Sequence, residues 1–218
     1  MASADEFEIN VVGRGGHAST PHLTGDPVPV ACEIVTALQS AVTRRVDAFA
    51  PAVVSVTTLR AGTATNVIPE SAHLAGTIRT TSERTRGRVH EDVIRVAEGI
   101  AAAHGMRAEV AIAKGYPVTV NDDAVAQLVI DTAPQVVGDG ASVVESPAPT
   151  MGAEDWSYVL ARIPGAMAFL GVCPPDIADP REAPACHSNV MRLDESAMVT
   201  GTALHVAMAL RLLAGAAS

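Results

Sequence analysis

Two histidines open the chemistry of this chain. His17 ends a glycine-dense run, Gly13-Arg14-Gly15-Gly16-His17-Ala18, and His22 follows it just after Pro21. A helical metal pair sits four residues apart on one face, and these two are five apart with a proline between them. Each alone therefore reads as a surface histidine. The glycine run fits the loose G-x-G-x-x-A pattern of a dinucleotide turn. Its context fails, because Pro21 follows and the next helix opens near Pro27. No acidic residue closes a second strand about 20 residues on, since Glu33 falls inside that helix. A flexible turn is the plainer reading.

Three further stretches carry candidate chemistry. Asn66-Val67-Ile68-Pro69 is ordinary turn chemistry taken alone. Gly76-Thr77-Ile78-Arg79 ends a strand on an arginine. Such an arginine is usually solvated, but facing a pocket its planar fork suits a substrate carboxylate. Met151-Gly152-Ala153-Glu154-Asp155-Trp156 leads into a helix, either as an acidic first turn favoured by the helix dipole or as a ligand-contacting loop. Cys186 and His187 are adjacent and do not comfortably hold one ion together, and a lone loop histidine is more often not a ligand.

The elements that must position these residues follow from periodicity. Phe7 to Val12 is β-rich and stops at the glycine run. Asp26-Pro27 opens a helix whose apolar stripe, from Val30 to Val42, reaches about Arg45. Strands are expected over 51–59, 73–79 and 107–113, with Gly62 to Pro69 as a loop. Ser82 caps a second helix that His104-Gly105 ends. The order β-α-β-β-α-β is the ferredoxin-like plan, a four-stranded antiparallel sheet with two helices on one face. From Tyr116 the pattern changes. Helices are expected from about Asn121 or Asp122 to Val137, over 154–163 and from Asp194 to about Leu213, with a short strand over 142–145 and a buried strand over 166–172. The fold class is α/β: an α+β unit over 6–115, then an α/β part over 116–218 with too few strands for its own core.

Composition narrows the function classes. The net charge of −9, from 24 acidic and 15 basic residues, argues against a nucleic-acid partner. Fourteen arginines stand beside the single Lys114, which with abundant alanine suggests a high-GC bacterial genome. Cys32, Cys173 and Cys186 are too few and too far apart for a disulfide framework, so a reducing cytoplasm is expected. No signal peptide is read at the amino terminus. No apolar run is read as reaching the roughly 18 to 20 residues of a membrane span. The stretch 203–217 carries His205 and Arg211 and reads as a soluble helix.

Taken in order, these motifs resemble one family. Phe7-Glu8-Ile9, the run ending in His17, Pro21-His22, Asn66-Val67-Ile68-Pro69, Gly76-Thr77-Ile78-Arg79, the Met151-Gly152 loop and His187-Ser188 before Asp194-Glu195 are similar to the metal-dependent amidohydrolases. That group includes hippurate hydrolase, auxin-conjugate hydrolases and aminoacylase/carboxypeptidase enzymes. The resemblance implies a ferredoxin-like lid that dimerises, over 6–115, and the carboxyl part of a zinc-peptidase-like catalytic domain, over 116–218. It implies hydrolysis of N-acyl amino acids with divalent metal, zinc or manganese, cobalt or nickel, activating water. It assigns His17 to the oxyanion, Asn66 and Arg79 to the substrate, the Gly152 loop to the pocket wall and His187 to the metal.

The departure is as informative. The family's Cys-Gly-His-Asp motif, its Glu-Glu pair, one further histidine and its general base have no counterpart here. One ligand does not hold a catalytic zinc, which takes about three from protein. The chain alone is therefore expected to bind no metal stably and to hydrolyse nothing, and Met1 is read as an internal start. His17 and His187 are expected to face one cleft, within one chain or across a homodimer. The alternative is a non-enzymatic dimerisation or small-molecule-binding module, which the fold alone allows. A serine or cysteine hydrolase lacks its G-x-S-x-G elbow.

Overall fold

The structure is a computed structural model that describes residues 1–138 and 143–215. The chain divides into two compact units: residues 1–120 with 148–161, and residues 121–147 with 162–218.

The first unit is built on a four-stranded antiparallel sheet. Its strands are β1 (Asp5–Val12), β3 (Ala52–Ala61), β5 (Ser71–Thr80) and β6 (Arg107–Lys114), in the order β3-β5-β1-β6. Helices α1 (Pro27–Arg45) and α2 (Glu83–Ala103) complete the β-α-β-β-α-β plan that the sequence implies. Alternation drives the sheet. Asp5, Phe7, Ile9 and Val11 point inward from β1, while Ala72, Leu74, Gly76, Ile78 and Thr80 do so from β5. Against them pack Val30, Ile34 and Leu38 of α1, with Val89, Val93 and Ala97 of α2. Each large side chain buried this way stabilises by about 1.5–3 kcal/mol.

Both helices start where their caps dictate. The Asp26 carboxylate accepts from the Val28 N–H at 3.0 Å, and Ser82 Oγ accepts from the Thr85 N–H at 3.2 Å. Gly105, with φ of 69°, ends the α2 region in the left-handed conformation. Gly76 is a glycine for want of room: a Cβ there would lie 2.0 Å from the Ser55 carbonyl and 2.7 Å from the Phe7 ring. Beside it the β3–β5 register shifts between Val56 and Thr58.

Three features of this unit differ from the sequence reading. The first strand starts at Asp5, before Phe7, and the residues ahead of it are structural: Ala2 and Ser3 are fully buried. The expected loop over 62–69 holds a two-residue strand, β4 (Val67–Ile68), which pairs with β2 (Gly16–His17). The helix expected over 154–163 is the shorter α5 (Trp156–Leu160), and it belongs to the first unit.

The second unit is helical in its described part. The helix expected to run to Val137 is broken into α3 (Asp123–Thr132) and α4 (Pro134–Val137), because Pro134 has no N–H to continue the ladder. Asp122 caps α3 by accepting from the Val125 N–H at 3.0 Å. α6 (Ala197–Gly215) begins three residues later than the expected start at Asp194.

The strand expected over 166–172 does not form, and Phe169 and Leu170 are exposed rather than buried. A strand needs a ladder partner. Here the backbone is satisfied by isolated bonds instead. The Met167 N–H donates to Asn121 Oδ1 at 2.9 Å, and the Asp194 N–H to the Val172 carbonyl at 2.9 Å. Of the strand expected over 142–145, Ser142 lies outside the described residues and 143–145 carry no regular structure.

Helix α6 also corrects the reading that no apolar run is long enough for a membrane, since its length and composition would suffice. Within its own unit, its Arg211 donates to Thr132 Oγ1 at 2.9 Å, which ties it to the end of α3.

Candidate functional site

The first unit presents candidate residues at opposite ends of its sheet. At one end the chain leaves β1 at Val12 and folds back tightly. The Gly13 N–H donates to the Glu70 carbonyl at 2.9 Å, and Arg14 and Gly25 exchange backbone bonds at 2.8 and 2.9 Å. A Cβ on Gly13 would sit 2.2 Å from the Gly25 carbonyl. The glycine run is thus a close backbone crossing, and the helix that follows starts only at Pro27.

That crossing delivers His17 onto the β2–β4 ribbon, directly opposite Val67. The Ala18 N–H donates to the Asn66 carbonyl at 3.0 Å, so the structure brings His17 and Asn66 together. His17 then opens a tight turn, with the Thr20 N–H on its carbonyl at 3.0 Å. Its ring is exposed, and Nδ1 faces both the Ser19 N–H at 3.2 Å and Ser19 Oγ at 2.8 Å. His22 lies in a 3-10 turn over Pro21–Leu23 and is exposed.

At the other end of β5 stands Arg79, opposite Val53. It alternates with the buried Ile78 and Thr80, so it lies on the face away from the helices. The Gly152 loop is at this same end. The Ser3 N–H donates to the Thr80 carbonyl at 2.7 Å, and the next residue back, Ala2, donates to the carbonyls of Thr150 and Gly152 at 2.9 and 3.0 Å. Arg79 and the Gly152 loop are therefore neighbours through the first residues of the chain. Ser71 and Arg79, at the two ends of β5, are separated by roughly 25 Å at the ordinary rise of a strand. The structure does not bring Arg79 to His17 within one copy.

Beneath the Arg79 end lies a buried ionic cluster that the sequence reading missed. The Asp5 carboxylate accepts from Arg86 Nε at 2.8 Å and from the Gly115 N–H at 3.0 Å, and contacts His90 Nε2 at 2.7 Å. Arg86 also reaches Glu83 at 3.1 Å, whose carboxylate accepts from the Val118 N–H at 3.0 Å. Burial works to raise the Asp5 pKa. The bonds from Arg86, His90 and Gly115, with the Arg86 charge, overcome it and hold the carboxyl below its ordinary range. The bond to Asp5 in turn raises Arg86. The only trace in the sequence is an acidic residue at an inward position of β1.

His187 belongs to the second unit. It is exposed on the loop before α6, with φ of 70°, the one non-glycine residue in the left-handed region among the described residues. The Ser188 N–H bonds the Ala185 carbonyl at 3.0 Å, which fixes that turn. Such backbone is costly and tends to occur at functional positions. No group of three or more His, Cys, Asp or Glu side chains among the described residues could hold a metal ion.

Comparison with known proteins bears on the family. Residues 3–104 match the peptidase dimerisation domain of the M20 peptidases, and they cover all six principal elements but β6. This chain carries an M20 peptidase dimerisation domain. Over 216 residues it is 34% identical to thermostable carboxypeptidase 2 of Saccharolobus solfataricus, covering 97% of this chain and 52% of that protein. It is 39% identical over 171 residues to N-acetylcysteine deacetylase of Bacillus subtilis, covering 78% of this chain and 44% of that one. A solved dinuclear metal binding peptidase of the M20 family from Bacillus subtilis superposes with a TM-score of 0.73 at 30% identity. It covers 98% of this chain and 51% of the other. The chain spans about half the length of the curated relatives it matches. Its M20 relatives are carboxypeptidases, amidohydrolases and deacetylases, which does not favour a non-enzymatic module.

Proposed function

We propose that this chain supplies the lid and the carboxyl part of the catalytic domain of an M20 amidohydrolase that cleaves the amide of N-acyl amino acids. The observation that carries this is the division of labour along β5. His17 and Asn66 share the ribbon at one end, and Arg79 with the Gly152 loop stands at the other.

In this reading the Arg79 guanidinium takes the substrate carboxylate in a bidentate pair. The Asn66 amide holds the substrate backbone. His17 donates to the scissile carbonyl oxygen as it gains negative charge, an interaction whose loss costs about 10²–10³ in turnover. Because the two ends of β5 lie roughly 25 Å apart, one copy cannot apply both to one small substrate. The site is therefore shared in a homodimer formed through the lid: one protomer's His17 and Asn66 meet the partner's Arg79 end. Such reciprocity is natural to a two-fold dimer.

His187 is the one metal ligand this chain contributes. The remaining ligands and the general base come from residues this sequence does not contain, and the chain by itself is inactive. Support comes from the M20 relatives, one of which is a dinuclear metal binding peptidase.

The test is direct. The chain, and the chain in frame with its upstream coding sequence, are assayed for bound metal and for amino acid released from N-acetyl and N-benzoyl substrates. The expected result is metal and turnover in the longer protein only, with His17→Ala reducing turnover at least a hundredfold. Turnover by the short chain, or full activity of the His17 variant, would overturn the assignment.

A further inference from the structure

We infer that Ser19 is a positioning residue that fixes the tautomer of His17, leaving Nδ1 as an acceptor and Nε2–H as the donor free to meet the substrate. The inference rests on the proposed role of His17 and deepens it. An imidazole can stabilise an oxyanion only through a nitrogen that carries hydrogen, and which nitrogen does so is set by what its other nitrogen meets.

Here the other nitrogen meets a donor that cannot change its mind. The Ser19 backbone N–H points at Nδ1 at 3.2 Å. A backbone N–H only donates, so Nδ1 must be the unprotonated nitrogen of a neutral ring. Ser19 Oγ, also at 2.8 Å from Nδ1, can donate its hydroxyl hydrogen to the same lone pair. With Nδ1–H instead, two hydrogens would face each other along the N–N line.

The local fold imposes this arrangement. The turn closed by the Thr20 N–H on the His17 carbonyl at 3.0 Å puts the N–H of the residue two ahead beneath the side chain that starts the turn. Asparagine and aspartate use this geometry in Asx turns, and the imidazole nitrogen takes the place of their oxygen. Thr20 Oγ1 adds a second bond to the His17 carbonyl at 3.3 Å, and β2 pairs with β4 just before it. Backbone and ring are thus both held, while the Nε2 side of the exposed ring stays open.

The experiment reads the ring itself in this chain, with no substrate and no turnover. The seven histidines are labelled with ¹⁵N, and long-range ¹H–¹⁵N spectra are recorded where imidazoles are neutral. His17→Gln identifies the His17 signals. The expected wild-type result is a pyridine-type Nδ1 and a pyrrole-type Nε2, with a scalar coupling between Ser19 N and Nδ1 across the hydrogen bond. Ser19→Ala keeps the backbone donor and is expected to keep the tautomer with a smaller shift at Nδ1. Ser19→Thr restores the wild-type shift. Ser19→Pro removes both donors and is expected to give the averaged signals of a histidine in a flexible peptide.

A pyrrole-type Nδ1, an averaged wild-type ring or an absent coupling would overturn the inference. So would a Ser19→Pro spectrum identical to wild type. Loss of the coupling refutes the tautomer lock whatever His17 does in turnover. A fully active His17→Ala enzyme refutes the hydrolase role while leaving the lock intact.

Discussion

The two units contrast in how they hold themselves together. The first has a continuous core, in which two strands and two helices bury residues such as Phe7, Ile34, Leu74 and Val93 almost completely. In the second, Thr132, Ala133 and Pro174 are the buried positions among the described residues. Helix α6 buries none of its residues and exposes Val199, Leu210 and Leu213. A four-stranded sheet with helices on one face closes its own core, whereas three helices joined by long loops leave apolar surface uncovered. The first unit is thus equipped to fold by itself. The second leaves much of its apolar surface uncovered.

The sharpest way to break this contrast is to attack what only the first unit has. Asp5→Asn removes the negative partner of buried Arg86 and is expected to cost about 3–5 kcal/mol, read as a lower midpoint in denaturant. The same carboxylate gives a pH signature. Its pKa is depressed in the folded state, so its contribution is complete above the unfolded carboxylate value near 4 and fades as pH falls through the lower folded value. Wild-type stability should therefore drop below about pH 4 with a slope that Asp5→Asn lacks. An unchanged slope in the variant would remove Asp5 as its cause.

Next in size is a pair of truncations. Leu74→Ala, in the core of the first unit, is expected to cost about 2–5 kcal/mol. Leu210→Ala, on exposed α6, should stay within about 0.5 kcal/mol. Equal costs would contradict the contrast. Smaller again are the caps: Ser82→Ala and Asp122→Ala each remove one helix N-cap bond worth about 1 kcal/mol. Hydrogen exchange should register the first as faster global opening of the sheet unit, and the second only within α3.

The same contrast explains what the sequence disclosed. In the first unit local signals and packing agree: Asp26 and Ser82 cap their helices, the alternation of β5 matches its burial, and Gly105 ends α2. What escaped there were contacts between distant residues. Asp5 meets Arg86, and Ser3 meets Thr80, across some eighty positions that no local pattern links. The β2–β4 ribbon is too short to leave a period. In the second unit the apolar run 166–172 has the composition of a strand, but no neighbouring strand accepts its hydrogen bonds, and composition cannot report that. Pro134 stands within the apolar spacing that runs from Val125 to Val136, and that spacing does not report the missing N–H that breaks the helix there.

Of the candidate site, the residue types were legible while their grouping was not. His17, Asn66 and Arg79 read as one set in sequence, but β5 separates them to opposite ends of a sheet. Ser19 gave no signal at all, because its contribution is largely a backbone N–H.

That separation is the centre of the account, and mixed dimers test it most directly. His17→Ala and Arg79→Ala are each placed in the upstream-extended protein, purified as inactive homodimers, then unfolded together and refolded. A site shared between protomers predicts recovery of about a quarter of wild-type activity, since half of the dimers are mixed and each holds one intact site of two. A mixture as inactive as either parent would show that His17 and Arg79 serve the same protomer's site, and would contradict the account.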